Sequence, residues 1–267
     1  MNRSTIGRRY GLIPSLPSPH YLKFPYLATG AALPAVCNEL EQYLPPVIDQ
    51  MQVGMCTGCG TSRALKTLLN SIDYKWNFTP SALDIYAKVR TFEGQPLTND
   101  SGASIADVMT VLSEQGVCPE DSSEVWSWPF SASDGRWQEQ PPEECETDAL
   151  KHKLVQFRKI DQNVDSIKTV LASGYPVVIG ISVYQSFESK AVAETGVIPM
   201  PGLPFLDPLL GGHCLFLWGY GNYDADHADG RNSWGDKWGD KGNFHIPFKY
   251  LTDPNLCSDL WSVEVVS

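Results

Sequence analysis

Positive charge is scarce in this chain: 20 Lys and Arg stand against 31 Asp and Glu, and charged residues of both signs make up only 19% of the 267. A formal charge of −11 opposes binding to a phosphate backbone, so nucleic acid is not an expected partner. Long apolar runs are missing as well. The longest, Tyr175 to Tyr184 and Cys214 to Gly221, fall far short of the ~18 residues of a membrane span, and no membrane partner is expected. Pro14 interrupts Tyr10-Gly11-Leu12-Ile13 before a signal-peptide core of roughly 7–15 apolar residues can form. There is no internal repeat and no low-complexity tract. What is present excludes disorder, because 42% hydrophobic and 11% aromatic residues supply a packed interior. The seven cysteines are an odd number, so a lone chain keeps at least one free thiol, and a reducing compartment fits best. The expectation is a cytoplasmic monomer, with release by lysis or another non-classical route left open.

The charge is unevenly placed. Residues 1–30 carry Arg3, Arg8, Arg9 and Lys23 with no acid, which sets a basic arm of +4 on a body of −15. Such an arm can lie against the body or be a solvated tail. Prolines at 14, 17, 19, 25, 34, 45 and 46 favour extended backbone, so residues 1–43 read as an arm and 44–267 as the folded unit. Apolar spacing predicts helices over 56–72, 81–92, 104–115 and 164–172, and strands over 177–184, 213–220, 242–248 and 260–266. Residues 119–149 show no clean period and read as an irregular crossover. Helices first and strands later predict an α+β protein with a helical lobe over about 44–150 and a β-rich lobe over about 151–267, with a ligand cleft between them.

Three stretches carry chemistry. Asp49 to Thr57 leads into the first helix and places Cys56 at a helix N-terminus, where unpaired N–H groups favour a thiolate. Gly211-Gly212-His213 sets an imidazole at the start of an apolar strand, the base that thiol chemistry recruits. Nineteen positions on, Asn232-Ser233-Trp234-Gly235 offers an amide oxygen able to fix the imidazole tautomer. Taken singly, each is more often structural: a buried cysteine, a satisfied histidine, a turn.

In this order, the residues resemble the papain family of cysteine peptidases, in particular its short bacterial and phage members. The similar stretches are Leu44 to Thr57, Asp100 to Ile105, Gly116 to Pro119, Gly174 to Val178, Gly211 to His213, Asn232 to Gly235 and Tyr250 to Leu256. The resemblance implies a helical lobe and an antiparallel β-barrel-like lobe. It further implies Cys56 as nucleophile, His213 as its ion-pair partner and acid, Asn232 orienting the ring, and Trp234 shielding that bond. Gln50 and the Cys56 N–H would form the oxyanion hole. Gly102 and Ala103 would pair with substrate backbone, Gly212 would face the second residue before the scissile bond, and Ser262 would lie near the base of that pocket. No cofactor is implied.

Cys59 competes with Cys56 for the role of nucleophile. The register that keeps the oxyanion glutamine six residues upstream selects Cys56, since six before Cys59 is Val53. A zinc site lacks a second cysteine pair, and a redox pair at Cys56 and Cys59 is the minor alternative. Two departures from the family pattern stand out. Met51 occupies a position where glycine is common, and Asp224 to Arg231 reads as a solvated acidic loop where an apolar strand belongs. The expected function is a thiol endopeptidase acting on a polypeptide or peptide. The alternatives are a transpeptidase or acyltransferase with the same nucleophile, and a non-catalytic peptide-binding protein. The arm is expected to restrain activity if it packs on the body.

Overall fold

A computed structural model of the chain describes residues 7–25, 32–73, 78–120, 135–153 and 155–265. The elements follow in chain order as β1 (Leu12–Ile13), α1 (Cys56–Ser71), α2 (Ala82–Phe92), β2 (Ala103–Ser104), α3 (Ile105–Glu114), α4 (Glu143–Ala149), β3 (Val155–Lys159) and α5 (Val164–Ala172). They continue as β4 (Val177–Tyr184), α6 (Lys190–Thr195), β5 (Leu209–Tyr220), β6 (His227–Arg231), β7 (Asn243–Pro247), α7 (Phe248–Thr252) and β8 (Cys257–Val265). The α+β expectation holds. Six strands form one antiparallel sheet in the order β3-β8-β4-β5-β6-β7, which stays open and does not close into a barrel.

The sheet separates two cores. Val178, Cys214, Phe216, Trp218, Trp261 and Val263 face α1 to α3, whereas Val177, Ile179, Ile181, Leu215, Leu217 and Leu260 face α5 and the aromatic layer of Phe187, Trp234, Trp238 and Phe248. Burial on both faces is why β4 and β5 read as unbroken apolar runs and not as an alternation. Along them, odd and even positions serve different cores.

Four helices are closed at the N-terminus by side chains that accept a backbone N–H: Ser81 from Asp84, Ser104 from Asp107, Asn163 from Ser166, and Ser189 from Val192. The helix that begins with Cys56 has no side-chain cap and no acid in its first turn. Its positive end is left open.

Two sequence readings need correction. Residues 143–149, taken as part of an irregular crossover, form α4; much of the remainder of that stretch, 121–134, lies outside the described residues. The supposed solvated loop at 224–231 is largely strand β6, paired with β5 and β7. Its acid is neutralised internally: Asp229 is fully buried, accepts from His245 Nδ1 at 2.6 Å and from the backbone and side chain of Asn222 at 3.1 and 2.9 Å. An apolar side chain is also dispensable at Gly230, where a β-carbon would strike the Phe244 ring at 2.3 Å and the Phe216 carbonyl at 2.6 Å.

Candidate active site

The two lobes are sewn together beside the first turn of α1. The Gln50 N–H donates to the Ser233 carbonyl at 2.9 Å, and the Gly235 N–H to the Ile48 carbonyl at 3.1 Å. Gln50 is held at both ends of its amide. Its Nε2 donates to the Val53 carbonyl at 2.9 Å, and its Oε1 accepts from the Ser233 hydroxyl. One N–H of Nε2 remains for another acceptor.

Asn232 Oδ1 lies 2.9 Å from His213 Nε2 and also accepts the Ser233 N–H at 2.7 Å. An oxygen that already accepts a backbone N–H can only accept from the ring, so Nε2 carries the proton and Nδ1 is left with its lone pair. His213 Nδ1 is buried and has no hydrogen-bond partner. The indole of Trp234 stacks on the imidazole, with ring centroids 4.8 Å apart and planes at 24°. Water is thereby kept from one face of the ring.

Cys56 is fully buried. Desolvation pushes its thiol up to about 11, while the N–H groups of Cys214, Gly11, Thr57 and Cys56 itself act in the opposite direction. Burial likewise lowers His213 to about 4; the bond from Asn232 raises it and the Arg8 charge lowers it. Burial therefore disfavours the charged form of both groups while the arm covers them, and it opposes the helix N-terminus and the converging N–H groups that favour a thiolate. Cys59 lies one turn further into α1, and burial raises its thiol well above normal, with Arg63 the main opposing charge.

The buried state of the site comes from the N-terminal arm. Gly11 crosses at Cys56, and the arm pairs with β2 through Leu12 opposite Ala103, the Ala103 N–H donating to the Gly11 carbonyl at 2.8 Å. Gly102, at φ +74°, has no room for a side chain, since a β-carbon would lie 2.2 Å from the Gly11 oxygen. Gly212 faces Leu12 in the same way, with its β-carbon position 2.7 Å from the Leu12 oxygen. Upstream, the Arg8 guanidinium lies 3.8 Å over the Trp234 ring, and Tyr10 donates its hydroxyl to Glu188. Arg9 reaches Asp100 at 3.2 Å; that carboxylate also accepts from Tyr86 and from the Gly54 N–H. The basic arm thus meets acids of the body, which is the first of the two readings its charge left open.

Gln50, Cys56, His213, Asn232 and Trp234 are brought together at the junction of the lobes, and Gly102, Ala103 and Gly212 border the groove that the arm fills. Ser262 is not there: its hydroxyl bonds Glu264 and the Arg158 carbonyl. The sequence reading missed Glu188, Asp100 and Asp259 as partners of the arm, because nothing local distinguishes them from the other acids of the chain.

A family model described as papain family cysteine protease matches residues 35–257. The chain belongs to this family. It is a cysteine peptidase, a hydrolase of peptide bonds. An uncharacterised peptidase C1-like protein of Acanthamoeba polyphaga mimivirus is 30% identical over 291 residues, covering 100% of this chain and 90% of that protein. Xylellain, a cysteine protease from Xylella fastidiosa, superposes with a TM-score of 0.82 at 31% identity, over 97% of this chain and 96% of the other. A procathepsin B from Trypanosoma congolense shares the fold, with a TM-score of 0.71 at 14% identity over 96% and 86%. Most of the arm lies outside the matched residues 35–257, and it occupies the groove between the lobes.

Proposed function

We propose that this peptidase is an endopeptidase working through Cys56, His213, Asn232 and Gln50, and that its own arm restrains it. The observation that carries the reading is the convergence at one lobe junction of an uncapped helix N-terminus bearing Cys56, an imidazole with a free Nδ1 fixed by Asn232, and a glutamine amide with an N–H to spare. With the arm displaced, water and substrate return to the groove and the penalty on the Cys56–His213 ion pair falls. The thiolate then attacks the peptide carbonyl, and the oxyanion takes hydrogen bonds from Gln50 Nε2 and the Cys56 N–H. Imidazolium protonates the leaving amine; the neutral ring then accepts a proton from water, which hydrolyses the thioester and frees the thiol.

The arm itself is poorly placed for cleavage. Its Gly11 presents an N–H to Cys56, and its carbonyl oxygen is turned to Ala103. A β-carbon at Gly11 would sit 1.7 Å from the Gly54 oxygen, so Gly11→Ala should expel the arm. Turnover of a peptide coumarin and alkylation of Cys56 are both expected to rise at least ~tenfold in that variant. Cys56→Ala should abolish turnover. Slow, unchanged alkylation in Gly11→Ala would refute the restraint, and activity surviving Cys56→Ala would refute the nucleophile.

Ordering of β6 supports the catalytic reading over the non-catalytic one, because Asn232 directly follows a strand paired with both β5 and β7. Cys37, Cys56, Cys59, Cys214 and Cys257 are buried and form no disulfide among the described residues, which supports action in a reducing compartment such as the cytoplasm.

A further inference from the structure

Three thiols meet where the first turns of α1 pack on β5. Cys56, Cys59 and Gly60 stand three and four residues apart, so they share the face of α1 that is turned to the sheet. From the sheet, Cys214 points its N–H at the Cys56 sulfur, and its own Sγ lies 3.1 Å from where a β-carbon on Gly60 would sit. Cys59 and Cys214 are each close enough to Cys56 to feel its charge. All three are free and wholly buried in one core, yet peptide hydrolysis uses only the first. Of the two spare thiols, Cys59 is the better placed to bond it. Residues three apart in a helix have Cα atoms about 5 Å apart, inside the ~4.4–6.8 Å that a disulfide spans, and their β-carbons need to close by roughly 1–2 Å. The first turn of α1 is free to make that adjustment, since no side chain caps it. One turn beyond Cys59 lies the buried Arg63, the main charge favouring a Cys59 thiolate against the cost of burial. Its Nη2 pairs with Glu120 at 2.8 Å, and its Nε has no hydrogen-bond partner among the described residues.

We infer that Cys59 is a resolving thiol for Cys56, so that a hydroperoxide turns the site off reversibly through a Cys56–Cys59 disulfide. The inference rests on the proposed role of Cys56 as a nucleophile that becomes reachable when the arm is displaced. The Cys56 thiolate attacks one peroxide oxygen: the O–O bond breaks, an S–O bond forms, the sulfur is oxidised by two electrons, and the peroxide leaves as water or an alcohol. The Cys59 sulfur then attacks that of Cys56. The S–S bond forms as the S–O bond breaks, and the departing hydroxide carries the Cys59 proton away as water. With its sulfur turned into α1, Cys56 is withdrawn from His213 and cannot attack a carbonyl. A dithiol reductant restores both thiols by exchange and is itself oxidised to a disulfide, which makes the bond transient in a reducing compartment.

The test uses the full chain as wild type, as Gly11→Ala, and as Cys59→Ala and Cys59→Val, two variants that err on opposite sides of the thiol's volume. Each is treated with hydrogen peroxide, blocked with iodoacetamide and digested without reduction. Peptide mass spectrometry should find a loss of two hydrogens confined to Cys56 and Cys59, fastest in Gly11→Ala, and dithiothreitol should reverse it together with the loss of turnover. In both Cys59 variants Cys56 should instead pass on to sulfinic acid, and the fraction of turnover that dithiothreitol restores should fall at least ~tenfold. A bond from Cys56 to Cys214, or restoration in the Cys59 variants equal to that in wild type, overturns the inference. So does absence of the bond from both wild type and Gly11→Ala, and fast alkylation of Cys56 in untreated samples would then leave the peptidase site standing. A bond formed in a chain that hydrolyses nothing would sink the peptidase site alone.

Discussion

A histidine and a cysteine that are each fully buried share one cost: neither charges easily while the arm is in place. For His213 the folded value, about 4, lies below the ordinary 6.5, so between these values the unfolded chain binds a proton that the native chain does not. Stability attributable to His213 is therefore complete above pH 6.5 and declines as pH falls toward 4, by up to about 3 kcal/mol. Glu93 acts in the opposite sense. Burial raises its carboxyl to about 7, so its native form is favoured by protons between its usual 4.5 and 7. The raw profile sums both, and the diagnostic is a difference: His213→Ala should flatten the fall in Tm between pH 6.5 and 4 relative to wild type. An unchanged slope would mean that the imidazole is solvated in solution. At the oxyanion position, Gln50→Ala should lower kcat by roughly 100-fold with little change in KM, since its spare N–H meets a charge that exists only after attack. Loss of substrate affinity alone would assign Gln50 to ground-state binding.

At the scale of elements, two backbone segments carry the site and each holds an irregularity. Met51 has φ +56°, a left-handed conformation that costs a residue with a β-carbon about 1 kcal/mol and explains why glycine suits this position. Met51→Gly is expected to be neutral to stabilising by up to ~1 kcal/mol in urea unfolding, and a clear destabilisation would show that its exposed side chain has a packing role. The second segment is β6. Its Asp229 is buried with His245 and Asn222 as donors, so Asp229→Ala should cost about 2–4 kcal/mol and, by loosening the strand that ends at Arg231, reduce kcat through Asn232. The loop before Gly102 is fixed comparably by Arg90, whose guanidinium donates to the carbonyls of Leu97, Asn99 and Trp137. That loop presents Gly102 and Ala103 in a form any extended chain can join.

On the scale of the whole molecule, the arm acts as an internal occupant of the groove. Its ends are fastened by charge and its middle by shape. Arg8 and Tyr10 bind around Glu188 and Trp234, Gly11 presses on Gly54, and Ser15 bonds Asp259. Because exposed ion pairs such as Arg9–Asp100 are screened by salt, raising ionic strength should weaken the arm modestly, whereas Gly11→Ala should release it outright. Cys56 alkylation rates at 0.05 and 1 M salt, set beside those of Gly11→Ala, measure the two contributions. A salt effect as large as that of the glycine substitution would mean that charge, not shape, holds the arm.

Much of this was legible in the sequence. The four long helices and the strands β4, β5, β7 and β8 were visible because their apolar spacing is local, and Cys56, His213 and Asn232 announced themselves by residue type at an element boundary. β6 was misread because its neutralising partners, His245 and Asn222, are neighbours only after the sheet has formed, so its acids looked solvated. The same reason hid Asp259 as a partner of the arm: it lies opposite Gly180 and accepts the Ser15 N–H only through a pairing set by strand register. The arm's charge allowed either docking on the body or a solvated tail, and only tertiary packing decided that Gly11 rests on Cys56 and Leu12 against Gly180 and Gly212. Composition and spacing thus determine which groups are present and which elements carry them. Burial, and with it the penalty on charging Cys56 and His213, belongs to the assembled molecule, because desolvation is a property of everything packed around an atom and not of its position in the chain.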